Sequence, residues 1–584
     1  MALAAEMPMP PLTVEWLTTR TFNFRAEPKG QTISDKLVFH RNGFIVGYNH
    51  PNEAYWDLDG NDLLIIDLQG MTTCRLSFLI DSSGAPCLAG NFISPWDNYA
   101  TTATRHILTE NGSDLHTHIQ SFDLFDTLVA RRCFGPLEIF RRVEGKSGAA
   151  NFAARRHLVE MSMFGRRNYG LDDIYDLLIQ EKTLTDSQAK MVKLMELDEE
   201  WDNLFPMRQV TAFVNPDDII ISDMYLPQSF VERVVREKCG LNNKVYLSNY
   251  GKHHRIIWPS IKQEYKLRAH YGDNQNADIK GAAEFGIPAT YVSLSKWDRT
   301  EEILHEAGLG PYAHALRETR LQTFHRNAQV RNALQAQISI NIPLMLLGTF
   351  WLRHQAETFG ATRVMAAARD CNLLIHLLSS THFARHGLPP ADYVRMSRTL
   401  CYSDTPEFEA YFRSKLGERT LLVDFVGTGR SMKTFVERTG LQDKVMPCLL
   451  VGDDVAPEAR VLQTMIHRDY YKCRMYLEAL NASLDGSAVL ARVNNHLVSV
   501  EQQPNEFSDF MKVIISEMRA NFLRFLPSLD RFDPPKAPVP LDKLLTAAEA
   551  IADLFPAHML KMHYLGEEQR RNMRRGIAAQ AAAE

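Results

Sequence analysis

Short runs of apolar and β-branched residues, separated by turn residues, dominate the first part of the chain. The stretch GFIVGYNHPNEAYWDLDGNDLLIIDLQGMTTCRLSFLI, for example, is divided by the turn signals DG and QG, and SSG follows it. This spacing is typical of antiparallel strands joined by tight turns. We therefore expect residues 12–112 to form a β-rich sandwich or barrel domain.

The pattern changes over residues 113–298, where apolar runs of strand length alternate with helical stretches. This alternation predicts a parallel sheet with helices on both faces. A helical segment at about 140–210, which includes DSQAKMVKLMELDEEWDNLF, interrupts the alternation and predicts a helical cap inserted after the first strand.

A second series of strands and helices occupies residues 299–503, and residues 504–584 are helical in pattern. The expected fold class is therefore multidomain. It has a β-rich N-terminal domain, two doubly wound, Rossmann-like α/β domains, the first of which carries the helical cap, and a helical C-terminal region.

The longest apolar window, ISINIPLMLLGTFWL from Ile338, is interrupted by Asn341 and Pro343 and falls short of a membrane span. We expect a buried helix there. The first residues, MALAAEMPMPPLTVEW, lack the pattern of a secretion signal, and the eight cysteines are scattered along the chain. These features predict a cytoplasmic protein. The net charge of -5 gives no general attraction to nucleic acid or membrane, so no nucleic-acid partner is expected.

Polar residues follow or end three of the predicted strands of residues 113–298. Asp123 follows the run IQSF, Ser222 ends the run DDIIIS, and Asp273 and Asp278 follow the run ending in HYG. Lys252 precedes the acidic pair by about twenty residues. Because the carboxyl ends of parallel strands converge on one crevice, these side chains are expected to meet there.

The order of these motifs resembles that of the haloacid dehalogenase-like (HAD) hydrolases. What the resemblance implies is a phosphoryl-transfer site with one Mg²⁺ ion, in which Asp123 is the nucleophile that forms an aspartyl phosphate. The ion would be held by Asp123, the carbonyl oxygen of Phe125, Asp273 and Asp278, the last of these nearby or through water.

The same resemblance implies that Ser222 and Lys252 bind the transferred phosphoryl oxygens. Lys262 and Lys266 are alternatives for this lysine. Phosphatases of the family usually carry an aspartate two positions after the nucleophile, where this chain has Phe125. Either the acid has moved to Asp126 or it is absent. The form FDLFDTL itself resembles HAD domains of bacterial polysaccharide-synthesis proteins.

A second phosphate-binding signal lies in the stretch LLVDFVGTGRSMKTF, which runs from an apolar strand through a glycine turn into a helix. Glycine allows the backbone to approach a phosphate closely, and a helix N-terminus offers free amides. The segment Thr428, Gly429, Arg430 and Ser431 is therefore suited to a terminal phosphomonoester. The alternative is an ordinary turn in which Asp424 caps the helix.

This stretch resembles the signature loop of type I phosphoribosyltransferases. The resemblance implies that Asp424 faces the ribose hydroxyls of phosphoribosyl pyrophosphate (PRPP) and that residues 428–431 hold its 5-phosphate. The loop of Ala368, Arg369 and Asp370 would contact the pyrophosphate, with Arg398 as a further contact. This chain has one acid where the family has two, and one residue fewer before Thr-Gly.

Together, the two sites resemble the PRPP-dependent ribofuranosyltransferase systems of bacterial surface polysaccharide synthesis. The resemblance implies transfer of 5-phosphoribose to a lipid-linked glycan acceptor, removal of the 5-phosphate, and a peripheral position at the membrane without a transmembrane segment. The β-rich domain is a candidate for holding the glycan. Two alternatives stay open: a HAD sugar-phosphate phosphatase with a noncatalytic second α/β module, and a scaffold with an inactive HAD site.

Overall fold

The computed structural model describes residues 11–571 with short gaps. The gaps are residues 29, 42, 47–49, 51, 68–69, 94–103, 112–118, 134, 368, 454–455, 457–459, 469, 495–496, 503–506 and 567. The chain divides into two compact units. The first comprises residues 1–297 with 321–328, and the second comprises residues 298–320 with 329–584.

The first unit begins with a short helix, Val14–Thr18, and an eight-stranded antiparallel sheet. Its strands are β1 (Thr21–Glu27), β2 (Gln31–Phe39), β3 (Ile45–Val46), β4 (Tyr55–Asp59), β5 (Asp62–Ile66), β6 (Thr72–Ile80), β7 (Pro86–Asn91) and β8 (Arg105–Glu110). They are arranged in the order β3-β2-β1-β8-β7-β6-β5-β4.

The two edges of this sheet meet at an antiparallel bridge between Phe44 and Tyr55, so the sheet nearly closes into a barrel. Of the two predicted forms, the sheet is therefore closer to the barrel than to the sandwich. Trp56 is 1% exposed, and its indole N–H donates to the carbonyl oxygen of His40 at 2.8 Å. It is a core residue of the barrel.

A five-stranded parallel sheet follows, with the order β13-β12-β9-β14-β15. Its strands are β9 (Ile119–Phe122), β12 (Ile219–Asp223), β13 (Lys244–Ser248), β14 (Leu267–Gly272) and β15 (Ala289–Tyr291). The helices around it are Arg208–Thr211, Gln228–Arg233, Val234–Cys239, Ile257–Glu264, Gln275–Lys280 and Gly281–Glu284. The chain leaves β9 for β12 on one side and returns to β14 on the other. The carboxyl ends of β9 and β14 therefore flank a crevice at the point where the strand order reverses.

Four helices are inserted between two short strands, β10 (Val129–Arg131) and β11 (Leu204–Pro206), which pair antiparallel. The helices are Pro136–Ser147, Phe152–Met163, Leu171–Gln180 and Asp186–Asn203. The last of them starts at a capping box in which Thr185 Oγ1 accepts from the Gln188 amide at 3.3 Å and Gln188 Oε1 accepts from the Thr185 amide at 3.0 Å. The helical segment predicted at about 140–210 thus spans residues 136–203.

The second unit contains another five-stranded parallel sheet, with the order β17-β16-β18-β19-β20. Its strands are β16 (Arg363–Ala367), β17 (Ala391–Val394), β18 (Thr420–Gly427), β19 (Val445–Asp453) and β20 (Gln463–Arg468). The strand order reverses between β16 and β18, so the loops after these two strands flank the crevice of this sheet.

Helices and one hairpin make up the rest of the second unit. The helices within and before its sheet are Arg299–Glu306, Gly310–Gln322, Leu374–Leu378, Thr381–Arg385, Arg398–Tyr402, Pro406–Arg413, Arg430–Arg438 and Tyr470–Leu480. Strands β21 (Ala488–Asn494) and β22 (Leu497–Gln502) form the hairpin. The C-terminal helices are Asp509–Phe525, Leu526–Arg531, Leu541–Asp553 and Phe555–Lys561.

A long helix at residues 328–359 contains the apolar window noted in the sequence. Its length and composition would allow it to cross a membrane, but 89% of its most apolar 18-residue window is buried inside the protein. The prediction of a buried helix is confirmed. The middle of this helix, Gln337–Asn341, has π-helical hydrogen bonding.

Candidate functional site

A buried ionic cluster lies at the reversal point of the first parallel sheet. Lys252 Nζ donates to Asp123 Oδ1 at 2.5 Å and to Asp278 Oδ1 at 2.6 Å. Asp123 directly follows β9, and its amide donates to the carbonyl oxygen of Tyr271 in β14 at 2.8 Å. The pairing of β9 with β14 therefore holds the nucleophile candidate beside the acidic loop that follows β14.

Asp273 completes a group of three carboxylates. Carboxylate oxygens of Asp123, Asp273 and Asp278 all lie within 4.8 Å of one another. Three carboxylates against the single ammonium of Lys252 leave an excess of negative charge, and hard oxygen donors at this spacing suit Mg²⁺. The residues present therefore fit the ion that the sequence predicts.

The surroundings shift the acidities of these groups in different directions. Burial, with the neighbouring charges of Asp126 and Asp278, raises the pKa of Asp273 to about 7. Burial also raises the pKa of Asp123 above its ordinary value, although Lys252 opposes this. For Asp278, the charge of Lys252 and the hydrogen bond from His270 outweigh the effect of burial, so its pKa lies below the usual range. Burial therefore opposes the charged forms of Asp123 and Asp273, and a bound cation would favour them.

The backbone around Lys252 is fixed by Asp223 at the end of β12. Its carboxylate accepts from the amide of Lys252 at 3.0 Å and from the amide of His253 at 2.9 Å. Lys252 is 2% exposed, and Asp123 and Asp278 keep its pKa raised although burial opposes the charge. Of the lysines considered from sequence, Lys262 donates instead to the carbonyl oxygen of Phe285 at 2.6 Å. The structure therefore favours Lys252.

Ser222 is 1% exposed and lies near the carboxyl end of β12. In the same strand, Ile220 pairs with Phe122, the last residue of β9. Ser222 is therefore level with the turn that follows Asp123, and its contact with a phosphoryl group stays a prediction. Thr127, which the sequence did not single out, donates through Oγ1 to Asp123 Oδ2 at 3.3 Å.

Phe125 and Asp126 have different surroundings. The Phe125 side chain is 8% exposed, with the Arg131 guanidinium 5.0 Å from its ring centroid. Asp126 has the left-handed φ of 57°, and its charge contributes to the raised pKa of Asp273. Asp126 is therefore near enough to the cluster to act on it electrostatically, while Phe125 packs in the core.

In the second unit, Asp424 lies inside β18 rather than next to the helix. The helix Arg430–Arg438 begins after Gly429, and the Asp424 carboxylate instead accepts from the amide of Phe425 at 2.9 Å. The alternative in which Asp424 caps this helix is therefore wrong, because three residues of strand separate it from the turn. Burial and the charge of Glu478 raise the pKa of Asp424 to about 7.

The turn itself is tightly packed. Gly429 has φ 73°, which favours glycine, and a Cβ built on it would lie 2.2 Å from Leu462 Cδ1, so a larger residue would require the Leu462 side chain to move. The Thr428 hydroxyl accepts from the Arg430 amide at 3.4 Å. Ser431 is the second residue of the helix and is partly buried. The turn thus presents a helix N-terminus at the carboxyl end of β18.

Asp370 follows β16 on the other side of the same crevice. Burial and the charges of Glu478 and Asp424 raise its pKa well above the ordinary value, while Arg369 and Arg474 oppose the rise. Asp370 and Asp424 are therefore electrostatic neighbours. Glu478 and Arg474 lie on the helix Tyr470–Leu480, and sequence reasoning missed them because charged residues on a helix face are commonplace.

Arg398 and Ala368 are the two remaining residues that the sequence predicts to contact pyrophosphate. Arg398 is the exposed first residue of the helix Arg398–Tyr402, which Ser397 caps by accepting from the Leu400 amide at 3.3 Å. Ala368 lies outside the described residues, so its place in the loop after β16 stays a prediction.

Comparison with protein-family models and with curated proteins gives no match for this chain.

Proposed function

We propose that the chain is a bifunctional ribofuranosyltransferase. The second α/β domain transfers 5-phosphoribose from PRPP to a glycan acceptor, and the first removes the 5-phosphate. The observation that carries this proposal is the buried cluster in which Lys252 joins Asp123 to Asp278, with Asp273 within 4.8 Å. Phosphoryl transfer through an aspartyl phosphate needs a nucleophile, here Asp123, and a fixed positive charge, here Lys252. It also needs carboxylates that bind a metal ion, and Asp123, Asp273 and Asp278 form such a group.

Phosphate removal proceeds in two displacements. In the first, an Asp123 carboxylate oxygen bonds to phosphorus, the bond from phosphorus to the ribose 5-oxygen breaks, and Asp126 gives a proton to the leaving oxygen. In the second, water bonds to phosphorus, Asp126 takes its proton, and the bond to Asp123 breaks to release inorganic phosphate. Lys252 and Ser222 bind the phosphoryl oxygens throughout.

Mg²⁺ would be held by Asp123, Asp273 and the carbonyl oxygen of Phe125. Asp278 already accepts from Lys252, His270 and the Asn274 amide, which suits it to support the ion through water. When bound, the ion would neutralise charge on the phosphoryl group.

Ribosyl transfer needs positioning rather than a protein nucleophile. Asp424 would accept hydrogen bonds from the ribose hydroxyls, the turn at residues 428–431 would hold the 5-phosphate, and Arg369, Asp370 and Arg398 would face the pyrophosphate. The bond from C1 to pyrophosphate breaks through an oxocarbenium-like state, and a glycan hydroxyl bonds to C1 as it loses its proton to the departing pyrophosphate. We assign the reaction to bacterial surface polysaccharide synthesis in the cytoplasm, with the acceptor lipid-linked.

Two release assays test the proposal separately. With PRPP, Mg²⁺ and glycan acceptors, wild type should release pyrophosphate and then inorganic phosphate. Asp424→Asn should abolish pyrophosphate release, and Asp123→Asn should abolish phosphate release alone. The exposed Asp443 and Asp217 give matched controls when replaced by Asn. Wild type that releases no pyrophosphate contradicts the transferase half, and unchanged phosphate release in Asp123→Asn contradicts the phosphatase half.

One observation favours a second candidate, a sugar-phosphate phosphatase whose second α/β domain is noncatalytic. Asp370, Asp424 and Glu478 are acidic neighbours in the second crevice, and burial together with the charges of the other two raises the pKa of Asp370. Such a crevice repels pyrophosphate unless a cation intervenes. Phosphate release from ribose 5-phosphate without pyrophosphate release from PRPP would select this candidate.

A further inference from the structure

Behind the ionic cluster, two buried side chains continue the hydrogen-bonded chain into the sheet. His270 Nε2 lies 3.2 Å from Asp278 Oδ1, and His270 Nδ1 lies 2.8 Å from Ser121 Oγ. Both residues are 0% exposed, and the roles proposed above do not use them. The full order is Ser121, His270, Asp278, Lys252 and Asp123.

The chemistry of the partners fixes the direction of each hydrogen bond. Asp278, paired with the Lys252 ammonium, is a carboxylate and can only accept. His270 must therefore carry its proton on Nε2 and donate to Asp278. In the neutral imidazole the other nitrogen, Nδ1, then accepts the hydroxyl proton of Ser121.

The same three residue types would make a catalytic triad in a hydrolase, but here the burial excludes that role. Ser121 Oγ lies within the sheet, in the strand before Asp123, and is 0% exposed, so no substrate carbonyl can reach it. The ring of His270 is also held by Trp258, whose ring centroid lies 4.9 Å away in an edge-to-face contact. Ser121 and His270 are therefore suited to fixing the orientation of a neighbouring side chain.

We propose that His270, oriented by Ser121, is a positioning residue for Asp278. Its donation to Oδ1, together with the Asn274 amide on Oδ2 at 2.9 Å, fixes both oxygens of the carboxylate. Asp278 in turn holds Lys252 against Asp123 and shapes the cation site. The benefit to phosphoryl transfer rests on the proposed function, whereas the hydrogen-bonded arrangement does not.

The test starts with the full-length wild-type protein labelled with ¹⁵N-histidine. The His270 signal, identified by its loss in a His270→Gln sample, should show a proton on Nε2. A signal protonated on Nδ1 alone, which leaves Nε2 unable to donate to Asp278, would overturn the proposal whatever the protein catalyses.

The second measurement is the Mg²⁺ concentration that half-saturates the thermal stabilisation of the protein. Gln places its amide nitrogen near the former Nε2 and keeps the donation to Asp278, whereas Asn does not reach it. We expect a midpoint at least tenfold higher for His270→Asn, and within about threefold of wild type for His270→Gln. Ser121→Ala, which removes one hydroxyl, should raise the midpoint by a smaller factor and serves if the Asn variant does not fold.

Equal midpoints in wild type, His270→Asn and Ser121→Ala would overturn the positioning role. The buried His106 of the barrel provides the matched control, and His106→Asn should leave the midpoint unchanged. A wild type that shows no response to Mg²⁺ contradicts the cation site of the proposed function, and the ¹⁵N signal then decides this inference alone.

Discussion

Asp278 can accept the hydrogen bond from Lys252 in this position because Gly272, which lies against it, has no side chain. A Cβ built on Gly272 would lie 2.3 Å from Asp278 Cγ, which is closer than nonbonded atoms approach. Glycine at this position therefore sets the distance between β14 and the acidic loop.

Replacing Gly272 with Ala should push Asp278 away from Lys252 and lower phosphate release by about tenfold or more. Steady-state release of inorganic phosphate from ribose 5-phosphate measures this. Gly145→Ala is the matched control, because a Cβ there meets nothing within 4 Å. Equal rates of phosphate release in Gly272→Ala and Gly145→Ala would contradict the packing role of Gly272.

Asp126 carries the proton in the proposed mechanism because Phe125 occupies the usual position of the acid. Asp126→Asn should slow hydrolysis of ribose 5-phosphate by about 10²–10⁴-fold, since an alkoxide leaves poorly without a proton. With an aryl phosphate, whose leaving group needs no proton, the initial burst of phenol should stay within about tenfold of wild type. Asp217→Asn is the control. An unchanged steady-state rate in Asp126→Asn would remove this residue from the mechanism.

Among the secondary-structure elements, the inserted helices are joined by a buried ion pair to the strand β10, which follows the Asp123 turn. Arg131 in β10 donates through Nε to Glu200 of the helix Asp186–Asn203 at 2.7 Å, and its guanidinium also covers the Phe125 ring. Both charged side chains are less than 9% exposed. Through Arg131, the pair thus links the inserted helices to Phe125.

Breaking this pair with Arg131→Met should cost about 3–5 kcal/mol of the free energy of unfolding, because Glu200 is left buried without its partner. That corresponds to a fall of about 10 °C in the thermal midpoint of this domain. Adding Glu200→Met should recover most of the loss. The exposed pair of Arg233 and Glu237 provides the control, and Arg233→Met should lower the free energy of unfolding by less than about 1 kcal/mol. A double variant as unstable as the single one would contradict the account.

The turn between β18 and the helix Arg430–Arg438 is constrained in conformation and in space. Gly429→Ala should raise the KM for PRPP about tenfold, because an added methyl group at a positive φ and 2.2 Å from Leu462 Cδ1 requires the turn or the Leu462 side chain to shift. Gly440→Ala is a matched control, since Gly440 has φ 63° and open space around its Cβ position. It should lose about 1 kcal/mol of stability and keep its KM. Equal KM values in the two variants would argue against phosphate binding at this turn.

At the scale of the whole chain, both parallel sheets place their acidic residues at the point where the strand order reverses. Asp123 and Asp273 flank that point in one sheet, and Asp370 and Asp424 flank it in the other. This repetition follows from the topology, because neighbouring strands whose crossovers diverge leave a crevice between their carboxyl ends. The two crevices differ in charge balance, since Lys252 lies within the first cluster and Arg474 opposes the acids of the second.

The sequence could predict both parallel sheets and the meeting of Asp123 with Lys252, because apolar runs mark the strands and polar residues mark their ends. It could not predict the roles of Ser121 and His270, which lie inside strands and resemble ordinary strand positions. The choice between sandwich and barrel for the N-terminal sheet also stayed open, since closure depends on pairing between the two edges of the sheet.

The mass spectrum of a glycan acceptor incubated with PRPP and Mg²⁺ tests most directly whether the protein transfers 5-phosphoribose and then removes the 5-phosphate. Wild type should add a pentose, and Asp123→Asn should stop at a pentose phosphate, because transfer would continue while phosphate removal fails. Asp424→Asn should leave the acceptor unchanged, and Asp217→Asn should match wild type. An Asp123→Asn sample that carries plain pentose, or a wild-type sample with no added mass, would contradict the account.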